Sequence, residues 1–166
     1  MIDRDISSQV DKSIKNLHII WFFLLGSLAI YLFIGLYLKE TLNPQIRSTL
    51  PSDTLRWALY LISAATFIMI YFLKKIIIKA AARAESRAGR SKDQHPVIAR
   101  YTTAVVISLA VAESIGIYGL ILYFLIGQTE DLISLMVLSA VAMILHRPKR
   151  EELSRLIDKE EKKTGP

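Results

Sequence analysis

The chain has 166 residues, of which 52% are hydrophobic and none is cysteine, and a formal charge of +6 at pH 7. Its mean hydropathy is +0.37, and the apolar residues come in long uncharged blocks, which is the composition of bilayer spans rather than of a soluble core. Without cysteine there are no disulfides, iron–sulfur clusters or thiol nucleophiles. The basic residues flank the apolar blocks, which points to anionic lipid headgroups before nucleic acid.

Residues 1–18 are polar and mixed in charge, and no small-residue cleavage site follows the first apolar block, so no cleavable signal peptide is expected. Ile2, Ile6, Val10, Ile14 and Leu17 recur at helical spacing, an apolar stripe that leads into the first span. That span covers residues 19–38, all uncharged. At about 1.5 Å per residue it matches the roughly 30 Å of hydrocarbon. Asn43, Pro44 and Pro51 mark a turn-rich loop.

The second span covers 57–73, with Arg56 at its start and Lys74 and Lys75 at its end. The helix is expected to run on beyond it. Lys75, Lys79, Arg83 and Arg87 recur every four residues through an alanine-rich stretch, up to Gly89 as a stop signal. This basic stripe is a candidate grip for lipid headgroups. A solvated helix face that simply obeys the inside-positive bias is the simpler reading of it.

The third span, 102–126, holds one charge, Glu113. The fourth, 132–145, falls short of the roughly 17 residues a full crossing needs. It either recruits residues 129–131 and lets Arg147 snorkel, or forms a re-entrant or interfacial segment. After Pro148, Leu153, Leu156 and Ile157 share one helix side with charges elsewhere, an amphipathic helix suited to lie on the membrane or on a partner. Tyr31, Tyr37, Tyr60, Tyr71, Trp21, Trp57 and Tyr123 read mainly as interface belts and packing.

Lysine and arginine counts set the orientation. The N-terminal stretch carries Arg4, Lys12 and Lys15, the segment from Lys74 to Arg100 carries eight basic residues, and the tail from Arg147 onward carries seven. The first loop has only Lys39, Arg47 and Arg56, and the third loop has none. Both termini and the 74–101 loop are therefore expected in the cytoplasm. The expected fold is an all-α membrane protein: four transmembrane helices as two hairpins, with amphipathic N- and C-terminal cytoplasmic helices. Residues 1–147 form the transmembrane domain and 148–166 the tail. Residues 26–38 also align with 113–125, matching Ser27 with Ser114, Ile30 with Ile117, Tyr31 with Tyr118, Ile34 with Ile121 and Leu38 with Leu125. The next spans share Ser63-Ala64 and Ser139-Ala140. Duplication of a hairpin and chance likeness between apolar segments both explain this.

Glu113 is the residue to explain, because a carboxylate at bilayer depth costs about 2.5 kcal/mol or more. Ala112, Gly116 and Gly119 form a small-residue stripe beside it, which lets another helix approach closely. Ser27, Tyr31, Thr66 and Ser139 are candidate hydrogen-bond partners for it from other spans. Three roles stand for this carboxyl: bracing helices first, then carrying a proton or ion, or a contact with lipid, quinone or another group.

The run Glu113-Ser114-Ile115-Gly116-Ile117-Tyr118-Gly119-Leu120 resembles the carboxylate-bearing helix of the rotary ATPase c subunit, the proteolipid. Gln94-His95-Pro96 is similar to that hairpin's polar loop, and Thr102-Thr103 to the threonine pair opening its second helix. The resemblance covers residues 94–126 and implies an ion-carrying role for Glu113, with Tyr118 beside it. The sequence departs from that family in the preceding span, which has no glycine and carries Trp57, Tyr60, Phe67, Tyr71 and Phe72. It resembles small bacterial membrane proteins that carry the same motif on a different frame.

No metal-ligand spacing joins His18, His95 and His146, no histidine lies inside a span to hold haem, and no phosphate loop or Ser–His–acid set is present. The basic 74–100 segment lacks interleaved aromatics, so nucleic acid is not an expected partner. The expectation is a non-enzymatic, cofactor-free, multi-pass inner-membrane protein. Its partners are the lipid bilayer and other membrane subunits or copies of itself. It acts as an accessory or assembly subunit or, alternatively, as a proton- or ion-translocating protein using Glu113.

Overall fold

The computed structural model describes residues 4–41, 52–88 and 95–164. They form five helices and no strand: α1 (Arg4–Thr41), α2 (Ser52–Ala88), α3 (Pro96–Ile126), α4 (Thr129–Leu145) and α5 (Arg150–Thr164). Ile2, Asn43, Pro44, Pro51, Gly89 and Gln94 lie outside the described residues.

The helix ends follow local chemistry. Pro96 opens α3 at its first turn, where its missing N–H and fixed φ cost nothing. Gly127 closes α3 in the left-handed region (φ 81°), its N–H donating to the Tyr123 carbonyl at 2.7 Å. A side chain there would be strained, so the tight turn into α4 depends on this glycine. Glu130 and Asp131 fall in the first turn of α4, where the helix dipole favours negative charge. Pro148 follows the end of α4, and the His146 ring bonds back to the Ala142 carbonyl at 2.9 Å.

Three helices are long and apolar enough to cross a membrane: α1 over Ile6–Tyr37, α2 over Asp53–Ile78 and α3 over Pro96–Ile126. α4 has 17 residues, about 26 Å of helix. It reaches spanning length only together with α5, from which it bends by 46°.

α3 is the centre of the molecule and packs against all four other helices. In its most apolar stretch 44% of residues are buried, against 11% for α1 and 18% for α2. α3 and α4 pack as a hairpin. α1 and α2 do not pack as one: among the described residues each is seated on α3 and they do not meet. The small-residue stripe of α3 accounts for its close pairing with α4. In an apolar solvent, helices gain most where backbones come close, and α3 offers Ala112, Gly116 and Gly119 while α2 offers no glycine in its span. The outer faces of α1 and α2 remain apolar and open, with Phe22, Phe23, Phe33, Trp57, Leu61 and Phe72 among the exposed side chains.

The N-terminal stripe is present as expected. Val10 and Leu17 are buried, Ile6 and Ile14 pack beside them, and all lie on the single unbroken helix α1. The apolar stripe of α5 points inward. Leu153 and Ile157 are fully buried in the core of the protein itself, against α3 and α1.

Candidate functional site

Glu113 stands midway along α3, half-buried, facing α1. Its Oε1 accepts hydrogen bonds from the Ser27 hydroxyl and, at 3.0 Å, from the Tyr31 hydroxyl. Ser27 and Tyr31 are four residues apart on α1, so they share one face and reach the same oxygen. The Ser27 hydroxyl also lies 2.7 Å from the Leu24 carbonyl and can donate to only one acceptor at a time. No hydrogen bond reaches Oε2 among the described residues. Interhelical hydrogen bonds in membranes contribute about 0.6 kcal/mol each, up to about 1.7. Two of them offset a good part of the cost of placing a carboxylate there.

Of the four expected partners, Ser27 and Tyr31 are engaged. The Ser139 hydroxyl donates instead to the Ala112 carbonyl at 2.7 Å, tying α4 to α3. Thr66 is buried on α2 with no hydrogen bond to Glu113. Tyr118 is partly buried and lies about 140° around the helix from Glu113 at 100° per residue, and the two are not bonded. In the internal repeat Tyr118 matches Tyr31, and Glu113 matches Gly26. The hydroxyl is therefore repeated and the carboxylate is not.

The stripe Ala112, Gly116 and Gly119 meets α4 of the same chain. A Cβ on Gly119 would come within 2.9 Å of the Leu135 Cβ and 3.3 Å of the Leu132 carbonyl oxygen. One on Gly116 would press on the Leu28 Cδ2 at 2.5 Å, the Met136 sulfur at 3.3 Å and the Ser139 hydroxyl at 3.4 Å. The seam is thus closed within the chain, with α1 touching its edge through Leu28.

A second carboxylate, not singled out in the sequence, is more deeply buried. The Asp131 side chain is 1% exposed and forms an ion pair with Arg56 of α2 at 2.8 Å. The Tyr60 hydroxyl donates to the same Oδ1 at 3.0 Å. Its Oδ2 is buried without a partner. This cluster ties the first turn of α4 to the first turns of α2.

At the opposite end, α5 is locked to the three long helices. Lys74 bonds Glu152 at 2.5 Å and lies 5.0 Å over the Tyr101 ring. Arg100 pairs with Glu160 at 3.2 Å, and Arg150 with Asp11 at 2.9 Å. The Tyr101 hydroxyl accepts from the Lys149 N–H at 3.0 Å and faces both the Lys149 carbonyl and Glu152 as acceptors. Tyr101 is fully buried, so this polar end is wrapped around an aromatic anchor. Lys75, Lys79, Arg83 and Arg87 lie on the α2 helix, but their side chains are outside the described residues.

Chemically, the described residues offer a carboxyl held by two hydroxyls, a buried ion pair and an ion-paired collar. No protein-family model, no curated protein and no solved structure matches the chain.

Proposed function

We propose that this chain is a non-catalytic accessory or assembly subunit of a larger inner-membrane complex. In this proposal it crosses the membrane four times, with both termini cytoplasmic. The observation that carries the proposal is the use made of Glu113. The one carboxyl in the middle of the apolar stretches is bound by Ser27 and Tyr31, so it fixes α1 to the side of α3. Arg56–Asp131 and the α5 ion pairs act likewise, joining one helix to another. The polar chemistry described here goes into holding a shape. That shape leaves two long apolar faces, on α1 and α2, free for lipid or for neighbouring subunits.

Orientation in this proposal rests on the excess of Lys and Arg at the N-terminus, after α2 and in α5. The fourth crossing rests on the Arg56–Asp131 pair, which holds the start of α4 beside the start of α2.

Native mass spectrometry of the particle released from native membranes by mild detergent tests the role. One or a few copies bound to larger membrane subunits is the expected result. A free chain, or a ring of many copies of this chain alone, would overturn it.

A second reading, proton or ion translocation by a proteolipid-like helix, is favoured by one detail. Both hydroxyls converge on Oε1 of Glu113 and none binds Oε2 among the described residues. That leaves one oxygen for a proton or cation. Under this reading a Glu113→Gln variant assembles normally and loses ion-linked activity.

A further inference from the structure

Where α4 bends into α5 the molecule carries a groove of about 700 Å³, open on one side, between α2 and the elbow. Its walls change character along their length. The part beside the spans is apolar, made by Phe67 and Tyr71 of α2 and Leu145 of α4. The part beside α5 is basic, with Arg147, Lys149, Arg155 and Lys159. Two carboxylates also line it, and one of these, Glu152, is already paired with Lys74. Arg147, Lys149, Arg155 and Lys159 form no ion pair among the described residues, and all four are exposed.

We propose that this groove is a binding site for an anionic phospholipid, with an acyl chain along Phe67, Tyr71 and Leu145 and the phosphate among Arg147, Lys149, Arg155 and Lys159. The order of the two chemistries along the groove matches the order along a lipid. The apolar wall lies on membrane-spanning helix, and the basic wall starts where α4 ends. A phosphate is recognised by guanidinium and ammonium donors through charge-assisted bonds. Basic pockets between transmembrane helices at the cytoplasmic side suit anionic headgroups. The volume is within the range of pockets that take a ligand-sized group. A soluble phosphate compound would find the donors but would leave the apolar wall uncovered, so the lipid is the occupant that satisfies both walls. α2 and α4 are tied at their starts by Arg56 and Asp131 and otherwise pack little on each other, and a lipid at the elbow end fills the space between them. This site does not depend on the subunit role proposed above.

The test uses the full-length chain, delipidated in detergent and titrated with phosphatidylglycerol or phosphatidylcholine of identical acyl chains, with bound lipid read by native mass spectrometry. Phosphatidylglycerol is expected to bind at least about tenfold more tightly. The triple variant Arg147→Gln, Arg155→Gln, Lys159→Gln is expected to lose most of that preference. A control triple on α1 and the end of α5, Lys12→Gln, Lys15→Gln, Lys162→Gln, removes the same charge elsewhere and is expected to keep it. Equal binding of the two lipids overturns the proposal, as does an equal loss in both triples. Displacement of phosphatidylglycerol by glycerol phosphate at similar concentration would show a soluble phosphate site, and it too refutes the lipid assignment. If the groove triple does not fold, Leu145→Trp in a Trp21→Phe, Trp57→Phe background keeps every charge and supplies a second readout from a single tryptophan. Its fluorescence is expected to be quenched more by phosphatidylglycerol brominated on the acyl chain than by the matching phosphatidylcholine. Equal quenching counts against the site.

Discussion

The ion pair between Arg56 and Asp131 gives an asymmetric prediction. Asp131 is enclosed, whereas 37% of the Arg56 side chain is exposed at a separation of 2.8 Å. Fully buried pairs cost about 3–5 kcal/mol to break from one side, and surface pairs are worth about 0–1 kcal/mol. This half-covered pair falls between. Arg56→Gln leaves the Asp131 carboxylate in place with only the Tyr60 hydroxyl and no cation, and is expected to cost about 2–3 kcal/mol. Asp131→Asn leaves a guanidinium that can turn to solvent and keeps an acceptor for Tyr60, so about 1 kcal/mol is expected. The double variant should cost less than the two singles together, with a coupling of about 1–2 kcal/mol. Reversible denaturation in mixed micelles measures all four proteins, each in a Trp21→Phe background so that Trp57 fluorescence reports locally beside Arg56. Additive losses within about 0.5 kcal/mol would refute the argument, as would a larger cost for Asp131→Asn than for Arg56→Gln.

The glycine seam should respond to the kind of atom it meets. Gly119→Ala would press a Cβ on the Leu135 Cβ and the Leu132 backbone, which cannot swing away, and is expected to cost about 1–3 kcal/mol. Gly116→Ala meets the Leu28 methyl most closely, a flexible end, and is expected to cost less. Gly26→Ala meets nothing within 4 Å and should be neutral or slightly stabilising through helix propensity. The order of the three in one denaturation series checks this. In α5, Leu153→Ala removes a fully buried side chain. It is expected to cost about 2–5 kcal/mol and to speed proteolysis within Arg150–Thr164 before any cut in α3. Unchanged proteolysis would show that α5 is not held by its apolar side.

Much of this architecture is legible in the sequence, because bilayer spans announce themselves by length and lack of charge. The helices α1, α2 and α3 follow from that alone. Glu113 stands out for the same reason, and two of its four expected partners, Ser27 and Tyr31, hold it. The fourth crossing is not settled by composition, since α4 has 17 residues against a threshold of the same size. The Arg56–Asp131 pair was hidden for a physical reason. Both residues sit at the edges of apolar blocks, where a charge reads as a topology signal. Only the fold shows that one of them is enclosed. Periodicity also marks an apolar face without saying what it covers. The stripe of Leu153 and Ile157 suits a membrane surface, and the structure turns it onto α3 and α1. The close pairing of α3 with α4 depends on backbone approach at Ala112, Gly116 and Gly119. A span-by-span reading finds that stripe but does not assign it to α4.

The bracing role proposed for Glu113 requires that it hold α1 against α3 without carrying ions. Proton flux into liposomes reconstituted with the purified chain, under an imposed pH gradient and membrane potential, tests it most directly. Wild type and Glu113→Gln are both expected to relax the gradient at the same rate as protein-free liposomes. A flux present in wild type and abolished in Glu113→Gln, with both proteins folded and inserted, would contradict it.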